Sequence, residues 1–295
     1  MIIVTGGNGY VGKALCQQLA KSGKEVASVS RSVYETKNYK SLVADVTDKE
    51  SLEVIFDQYP VDTVVHLASM LNTASCKNPD RAVKINVIGS LNLLELCRDK
   101  GVNRFIFGSS FNAIGSLPGI HSPVDETEPC QPSEFYGETK RFVEQLGMNM
   151  SNIGGFEFLS ARMAVIVGPG EPSPNSAWRT DMFNLLKHGG DINITFSLDE
   201  IVPLAHYQDI ADSIKILVDA EKIKESIYHL PNESWLVSDL AAYLENLSDS
   251  LNVTCGDRKL EGIPFFVSCS RFENEFDYEP VQLKERLVLF KEELN

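Results

Sequence analysis

Residues Thr5-Gly6-Gly7-Asn8-Gly9-Tyr10-Val11-Gly12 constrain the fold of this chain more than any others. They follow the apolar run Ile2-Ile3-Val4 and open a helical pattern over Tyr10–Lys21, with Val11, Leu15 and Leu19 near helical spacing. Spaced glycines alone are a weak signal. A strand running straight into them and a helix leaving them make it specific. Gly6 permits a tight turn, Gly9 lets the backbone approach a pyrophosphate, and Gly12 lets the helix pack closely on the strand. The unpaired amides of the first helical turn and the helix dipole then hold the anion, with Tyr10 and Val11 against it.

The same alternation continues. Strands are expected over residues 25–30, 63–67, 104–107 and 156–161. Helices are expected over Lys49–Gln58 behind an Asp48 cap, over 79–100 up to Gly101, and over 134–150. Near-continuous apolar strands between helices mean a parallel sheet covered on both faces. After Gly168 the rhythm breaks. Residues 168–177, with Pro169, Pro172 and Pro174, read as a loop, and 178–188 and 209–220 as helices. Residues 227–230, Val237–Leu247 and 281–293 read as a smaller mixed lobe. The predicted fold class is α/β: a Rossmann-type doubly wound parallel sheet with a small mixed C-terminal substrate lobe. Residues 1–167 are expected to form the NAD(P)-binding core with the catalytic residues. Residues 168–295 form mainly the lobe, with some segments returning to the core.

Val29-Ser30-Arg31-Ser32 ends the second strand. An acid there would bind the ribose hydroxyls of NAD. Arg31 can instead pair with a 2′-phosphate and Ser30 can donate to it, which favours NADP over NAD. The alternative for Arg31 is a plain surface arginine. Asp45-Val46 is placed for the adenine amino group, and Asp45 reads equally as a turn residue. Tyr136-Gly137-Glu138-Thr139-Lys140 puts a tyrosine and a lysine on one helix face. A nearby ammonium favours phenolate, so the tyrosine is expected to titrate lower and exchange a proton with a substrate oxygen. Ser109-Ser110 follows the strand over 104–107 and so lies at a carboxyl end, where open α/β sheets bind ligands.

Taken together with Asp45, His66-Leu67-Ala68, Asn86-Val87-Ile88-Gly89, Arg162, Gly168-Pro169 and His206-Tyr207-Gln208-Asp209, these motifs follow a known order. The chain resembles an extended short-chain dehydrogenase/reductase, in the NAD-dependent epimerase/dehydratase family, over nearly its whole length. The resemblance implies Ser110 and Tyr136 as catalytic, and Lys140 as binding the nicotinamide ribose and tuning Tyr136. It implies Leu67, Ala68 and Ser69 along the cofactor and Asn86 bracing the neighbouring backbone. It also implies a homodimer through the helices over 80–100 and 134–150. His66 reads as a strand-end core histidine, and His206 and Asp209 as organisers of the lobe–core junction.

Departures narrow the chemistry. The Asp-Glu pair of the family's dehydratases is Phe111-Asn112 here. The asparagine of nucleotide-sugar members, three residues after Arg162, is Val165, and their tyrosine after the serine is Ile114. Met70, Ser110, Phe111, Asn112, Trp178 and Arg179 are the candidate substrate contacts. Trp178 would stack on a ring and Arg179 would bind a carboxylate or phosphate; the alternatives are a lobe-core aromatic and a surface ion pair. The expected activity is NADP-dependent reduction of a ketone or aldehyde, or oxidation of a secondary alcohol. A nucleotide-sugar epimerase with a transient ketone and a non-catalytic dinucleotide sensor are the alternatives.

The chain carries a net charge of −14, which argues against nucleic acid or an anionic membrane as partner and leaves a small-molecule substrate. Residues 1–150 carry −2 and residues 151–295 carry −12, so the half that receives a dinucleotide is nearly neutral. Six scattered cysteines without a Cys-x-x-Cys pair suggest free thiols in the cytoplasm, with no metal site. No apolar run approaches the ~18 residues of a spanning helix, and the N-terminus reads as a strand rather than a signal peptide.

Overall fold

The computed structural model describes residues 1–117, 122–172 and 176–293. At its centre is a parallel sheet. Its strands are β1 (Ile2–Thr5), β2 (Val26–Ser30), β3 (Lys40–Val43), β4 (Thr63–His66), β5 (Arg104–Ser110), β6 (Glu157–Met163) and the stretch Ile227–His229. They stand in the order β3-β2-β1-β4-β5-β6, followed by Ile227–His229. Strand order reverses between β1 and β4, so a crevice opens above their carboxyl ends. Apolar residues on both sides of the strands explain the two covering layers. On one face, Ile3, Val29, Val64, Phe105 and Phe107 pack with Leu52, Ile55 and Phe56 of the helix Lys49–Gln58. Val4, Val26, Val65 and Ile106 pack with Leu15 and Leu19 of helix Tyr10–Lys21.

The helix expected over 79–100 is present but not uniform. An α-turn over Pro79–Ala82 widens into a π-helix over Val83–Ile88 before α-helix resumes over Gly89–Lys100. Such π segments recur at functional sites, and Asn86 lies in this one. Gly101 ends the helix at φ 69°, as its sequence position predicts.

Two expectations for the second half need correction. The strand assigned to the lobe at 227–230 is Ile227–His229, which pairs in parallel with β6 as the last strand of the main sheet. Tyr228 there is fully buried, as a strand covered on both faces must be. The sequence reading also assigns no element to Gly190–Phe196, Ile201–His206 or Leu251–Arg258, all of which are strands. The helix from Trp178 stops at Asn184. Pro174, in the expected loop, lies outside the described residues. The lobe core is built from Trp178, Phe183, Ile192, Ile194, Trp235, Leu240, Leu244 and Leu287. Among the described residues no helix is long and apolar enough to cross a membrane.

Candidate active site

The glycine turn is shaped by what it cannot hold. Gly6 sits at φ 69°, and a Cβ there would lie 2.8 Å from the Ala68 amide nitrogen; one on Gly12 would lie 2.4 Å from the Gly6 carbonyl oxygen. Either side chain would collide with backbone and force the turn out of shape. Asn8 ties the turn to β2, accepting from Ser28 Oγ at 2.9 Å and donating to the Ser32 carbonyl at 2.9 Å. Gly9 caps the helix Tyr10–Lys21 with no side chain, which leaves the first-turn amides for an anion. The cradle therefore fits a dinucleotide pyrophosphate. The Val11 side chain is buried in the core, so only its backbone faces the turn, and the Tyr10 ring stacks on Tyr207 with centroids 4.7 Å apart.

At the end of β2, Ser30 is partly buried and Arg31 exposed. The Asp45 carboxylate accepts from the Thr47 amide at 2.9 Å and the Thr47 hydroxyl at 2.8 Å. The Thr47 bonds, with help from Arg31 nearby, hold Asp45 below the usual carboxylate range. The Val46 side chain is turned inward, which leaves only its backbone for an adenine. Its side chain is 7% exposed and packs against Gly89, where any Cβ would meet it at 2.7 Å.

β5 delivers Ser110 to the crevice, and the helix Phe135–Gly154 delivers Tyr136 and Lys140. Ser69 and Ser110 are the hydroxyl neighbours of the Tyr136 phenol. Ser110 Oγ also accepts from the Asn112 amide at 3.2 Å and donates to Asn112 Oδ1 at 3.1 Å. Lys140 is buried, and its Nζ donates to the Gly108 carbonyl at 2.8 Å. Burial pushes this amine down to about 7, while Glu144 pulls it back up. The expected lowering of the Tyr136 pKa is overturned. Burial pushes it up to about 12, only partly countered by Ser69 and Ser110. The lysine amine lies 5.6 Å from the tyrosine ring centroid and is turned to the Gly108 carbonyl, so desolvation dominates.

Asn86 acts as a clamp. It accepts from the Met70 amide at 2.7 Å, donates to the Met70 carbonyl at 3.0 Å, and donates to Thr139 Oγ1 at 3.2 Å. Thr139 in turn donates to the Tyr136 carbonyl at 2.7 Å. The segment after β4 is thereby fastened to the tyrosine's helix. Behind the site lies a group the sequence reading missed, the buried pair Glu144–Arg162. Glu144 Oε1 accepts from Ser109 Oγ at 2.7 Å, Ser160 Oγ at 2.9 Å and Arg162 Nε at 2.8 Å, while Oε2 accepts from Arg162 Nη2 at 2.7 Å. Its signal was the spacing Tyr136-x-x-x-Lys140-x-x-x-Glu144, a carboxylate on a face that turns inward.

His66 is a core residue, bonded to Thr5 Oγ1 at 2.6 Å and Ser90 Oγ at 2.9 Å and held neutral by burial. Asp209 pairs with Arg286 and so joins the helix Tyr207–Asp219 to the helix Leu283–Glu293. Among the candidate substrate contacts, Ser110 and Asn112 meet beside Tyr136, and Met70 lies on the clamped segment. Phe111 and Trp178 do not reach the crevice. Phe111 is 1% exposed and meets the His229 ring edge-on; Trp178 is 2% exposed and packs edge-on against Phe196. Each starts a helical turn whose apolar side faces a core. Arg179 is partly buried, with its guanidinium bonded to Ser176 Oγ.

A glycine-turn Rossmann sheet with serine, tyrosine and lysine at its carboxyl edge defines the extended short-chain dehydrogenase/reductase class. The model of the NAD dependent epimerase/dehydratase family matches residues 2–230, and the chain belongs to that family. A UDP-glucuronate 4-epimerase from Thermodesulfobacterium geofontis is 30% identical over 184 residues, 57% of this chain and 56% of that protein. A putative UDP-glucose 4-epimerase from Methanocaldococcus jannaschii is 30% identical over 174 residues, again 57% and 56%. The chain thus spans about half the length of the curated relatives it matches. Among solved structures, the holo GalE-like L-threonine dehydrogenase from Cupriavidus necator superposes with a TM-score of 0.89 at 20% identity, covering 100% of this chain and 99% of that one. The Thermotoga maritima UDP-glucose 4-epimerase gives a TM-score of 0.87 at 24% identity, covering 99% and 97%. These two likenesses show the fold.

Proposed function

We propose that the protein is an oxidoreductase that interconverts a secondary alcohol and its ketone with NADP as preferred cofactor. The observation that carries this is the meeting of Ser110, Tyr136 and buried Lys140 beside a cradle that fits a pyrophosphate. The bound nicotinamide supplies or accepts the hydride. Ser110 and Tyr136 hold the substrate oxygen, and Tyr136 exchanges its proton with that oxygen. Lys140, fixed by the Gly108 carbonyl, orients the ribose from behind the tyrosine. The test is a panel of secondary alcohols and ketones, read by the absorbance of reduced nicotinamide. Net change with one of them supports the reading.

The names of the curated relatives favour a second reading, 4-epimerisation of a UDP-sugar. It requires cofactor retained through purification and no net change in nicotinamide absorbance. Val165, which offers no donor to a diphosphate, weighs against it.

Arg31→Ala is expected to weaken NADPH binding about 10- to 100-fold, the worth of one charge-assisted contact, and to leave NADH binding unchanged. Calorimetric titration checks it. Equal affinity of the unaltered protein for NADH and NADPH would overturn the NADP preference.

We further propose a homodimer through the helices Gly89–Lys100 and Phe135–Gly154. Ile88, at the start of the first, and Phe142, on the second, are 41% and 56% exposed. Phe142→Glu is expected to convert the dimer to monomer in light scattering, and a monomeric unaltered protein at micromolar concentration would refute the contact. The free thiols of Cys16, Cys76, Cys97, Cys130, Cys255 and Cys269 support a reducing compartment such as the cytoplasm.

A further inference from the structure

Glu134 occupies the N-cap of the helix Phe135–Gly154, yet its side chain makes no capping bond. The carboxylate turns instead to Asn72, Asn112 and the Gly262 backbone. Its Oε2 accepts from Asn72 Nδ2 and, at 3.2 Å, from Asn112 Nδ2. Asn112 also donates to the Gly262 carbonyl at 3.4 Å, and Ser110 Oγ donates to Asn112 Oδ1 at 3.1 Å. Gly262 approaches so closely that a Cβ there would lie 2.6 Å from Glu134 Oε2 and 3.1 Å from Asn112 Nδ2. A carboxylate is thus fixed between core and lobe, two hydrogen bonds from the serine that neighbours the Tyr136 phenol. Both amides reach the same oxygen, and Oε1 has no hydrogen bond among the described residues.

We propose that Glu134, held by Asn72 and Asn112, is the specificity residue of this site and selects substrates with a protonated amine next to the reacting carbinol or carbonyl carbon. A carboxylate is an acceptor only, so it rewards a donor, and most of all a charged one. Prepositioning by two amides removes the cost of ordering it when substrate arrives. The chain's net charge of −14 adds a field that draws cations rather than diphosphates toward the crevice. The proposal rests on the reading that Ser110 and Tyr136 hold the reacting oxygen. It concerns the group beside that oxygen.

The test compares vicinal amino alcohols (1-amino-2-propanol and 3-amino-2-butanol) with the matching diols, in the presence of oxidised dinucleotide. Turnover is read by nicotinamide absorbance and binding by calorimetry. The expected result is at least a tenfold higher kcat/KM for the amines, carried mainly by KM. Glu134→Gln should cut the amine-to-diol ratio at least tenfold, and Glu134→Asp should recover part of it. Turnover without preference, or a preference that survives Glu134→Gln, overturns the proposal and leaves the oxidoreductase reading standing. Amine binding that depends on Glu134 without turnover overturns the proposal as a statement about substrates, and the alcohol and ketone panel then decides the oxidoreductase reading on its own. If the amines neither bind nor turn over, the proposal fails.

Discussion

Tyr136→Phe should lower kcat about 100- to 10,000-fold, the range set by loss of a positioned acid–base group. Dinucleotide affinity should hold, because the glycine cradle lies on another element. Single-turnover hydride transfer with the substrate found in the alcohol and ketone panel checks this, and undiminished turnover would sink the mechanism. The pH dependence has a defined sign. Burial raises the tyrosine to about 12, so the phenol is protonated across the neutral range. Reduction needs that proton and should be flat or fall at high pH. Oxidation needs the tyrosinate as proton acceptor, so its rate should climb as pH rises toward the tyrosine's value.

Glu144→Ala should destabilise the fold by about 3–5 kcal/mol, the cost of leaving a buried charge without its partner. Arg162 is 1% exposed, and its remaining side-chain neighbours, His229 and Cys130, carry no carboxylate. Ser109 and Ser160 would lose their acceptor at the same time. Urea unfolding measures the loss. Replacing both Glu144 and Arg162 with methionine should recover much of it, because the pair's desolvation cost disappears with the pair. A single-variant loss below about 1 kcal/mol would mean that water or a rearranged side chain replaces the carboxylate.

What was legible in the sequence was local. The glycine turn, the Asp48 cap and the tyrosine–lysine spacing each act within a few residues, and the structure places them as their spacing predicts. What was not legible depends on distant partners. Ile227–His229 is three residues long and becomes a sheet strand only because β6 offers its edge. Gly190–Phe196 alternates polar and apolar residues, with Ile192, Ile194 and Phe196 on one face, a strand signal the sequence reading passed over; its partner Leu251–Arg258 is distant in the chain. Phe111 and Trp178 sit beside motif residues in sequence but face apolar clusters in space. The lysine's effect on Tyr136 was misjudged because spacing gives proximity and says nothing of desolvation. Glu134 was missed because its two amide partners lie 62 and 22 residues away in sequence.

The path of the chain after β6 has a consequence for how such a protein can change. It enters the lobe, returns to lay Tyr207–Asp219 and Ile227–His229 on the core, and leaves again for Glu233–Leu236 and Val237–Leu247. The two halves are stitched together, so the lobe is no interchangeable cassette. A cut after residue 167 would strip the sheet of its outermost strand and the glycine-turn helix of its packing partner. Diversification of such a scaffold must then proceed by point changes in the segments that line the crevice. The shell around the reacting oxygen is free to vary while the weave that carries it stays fixed.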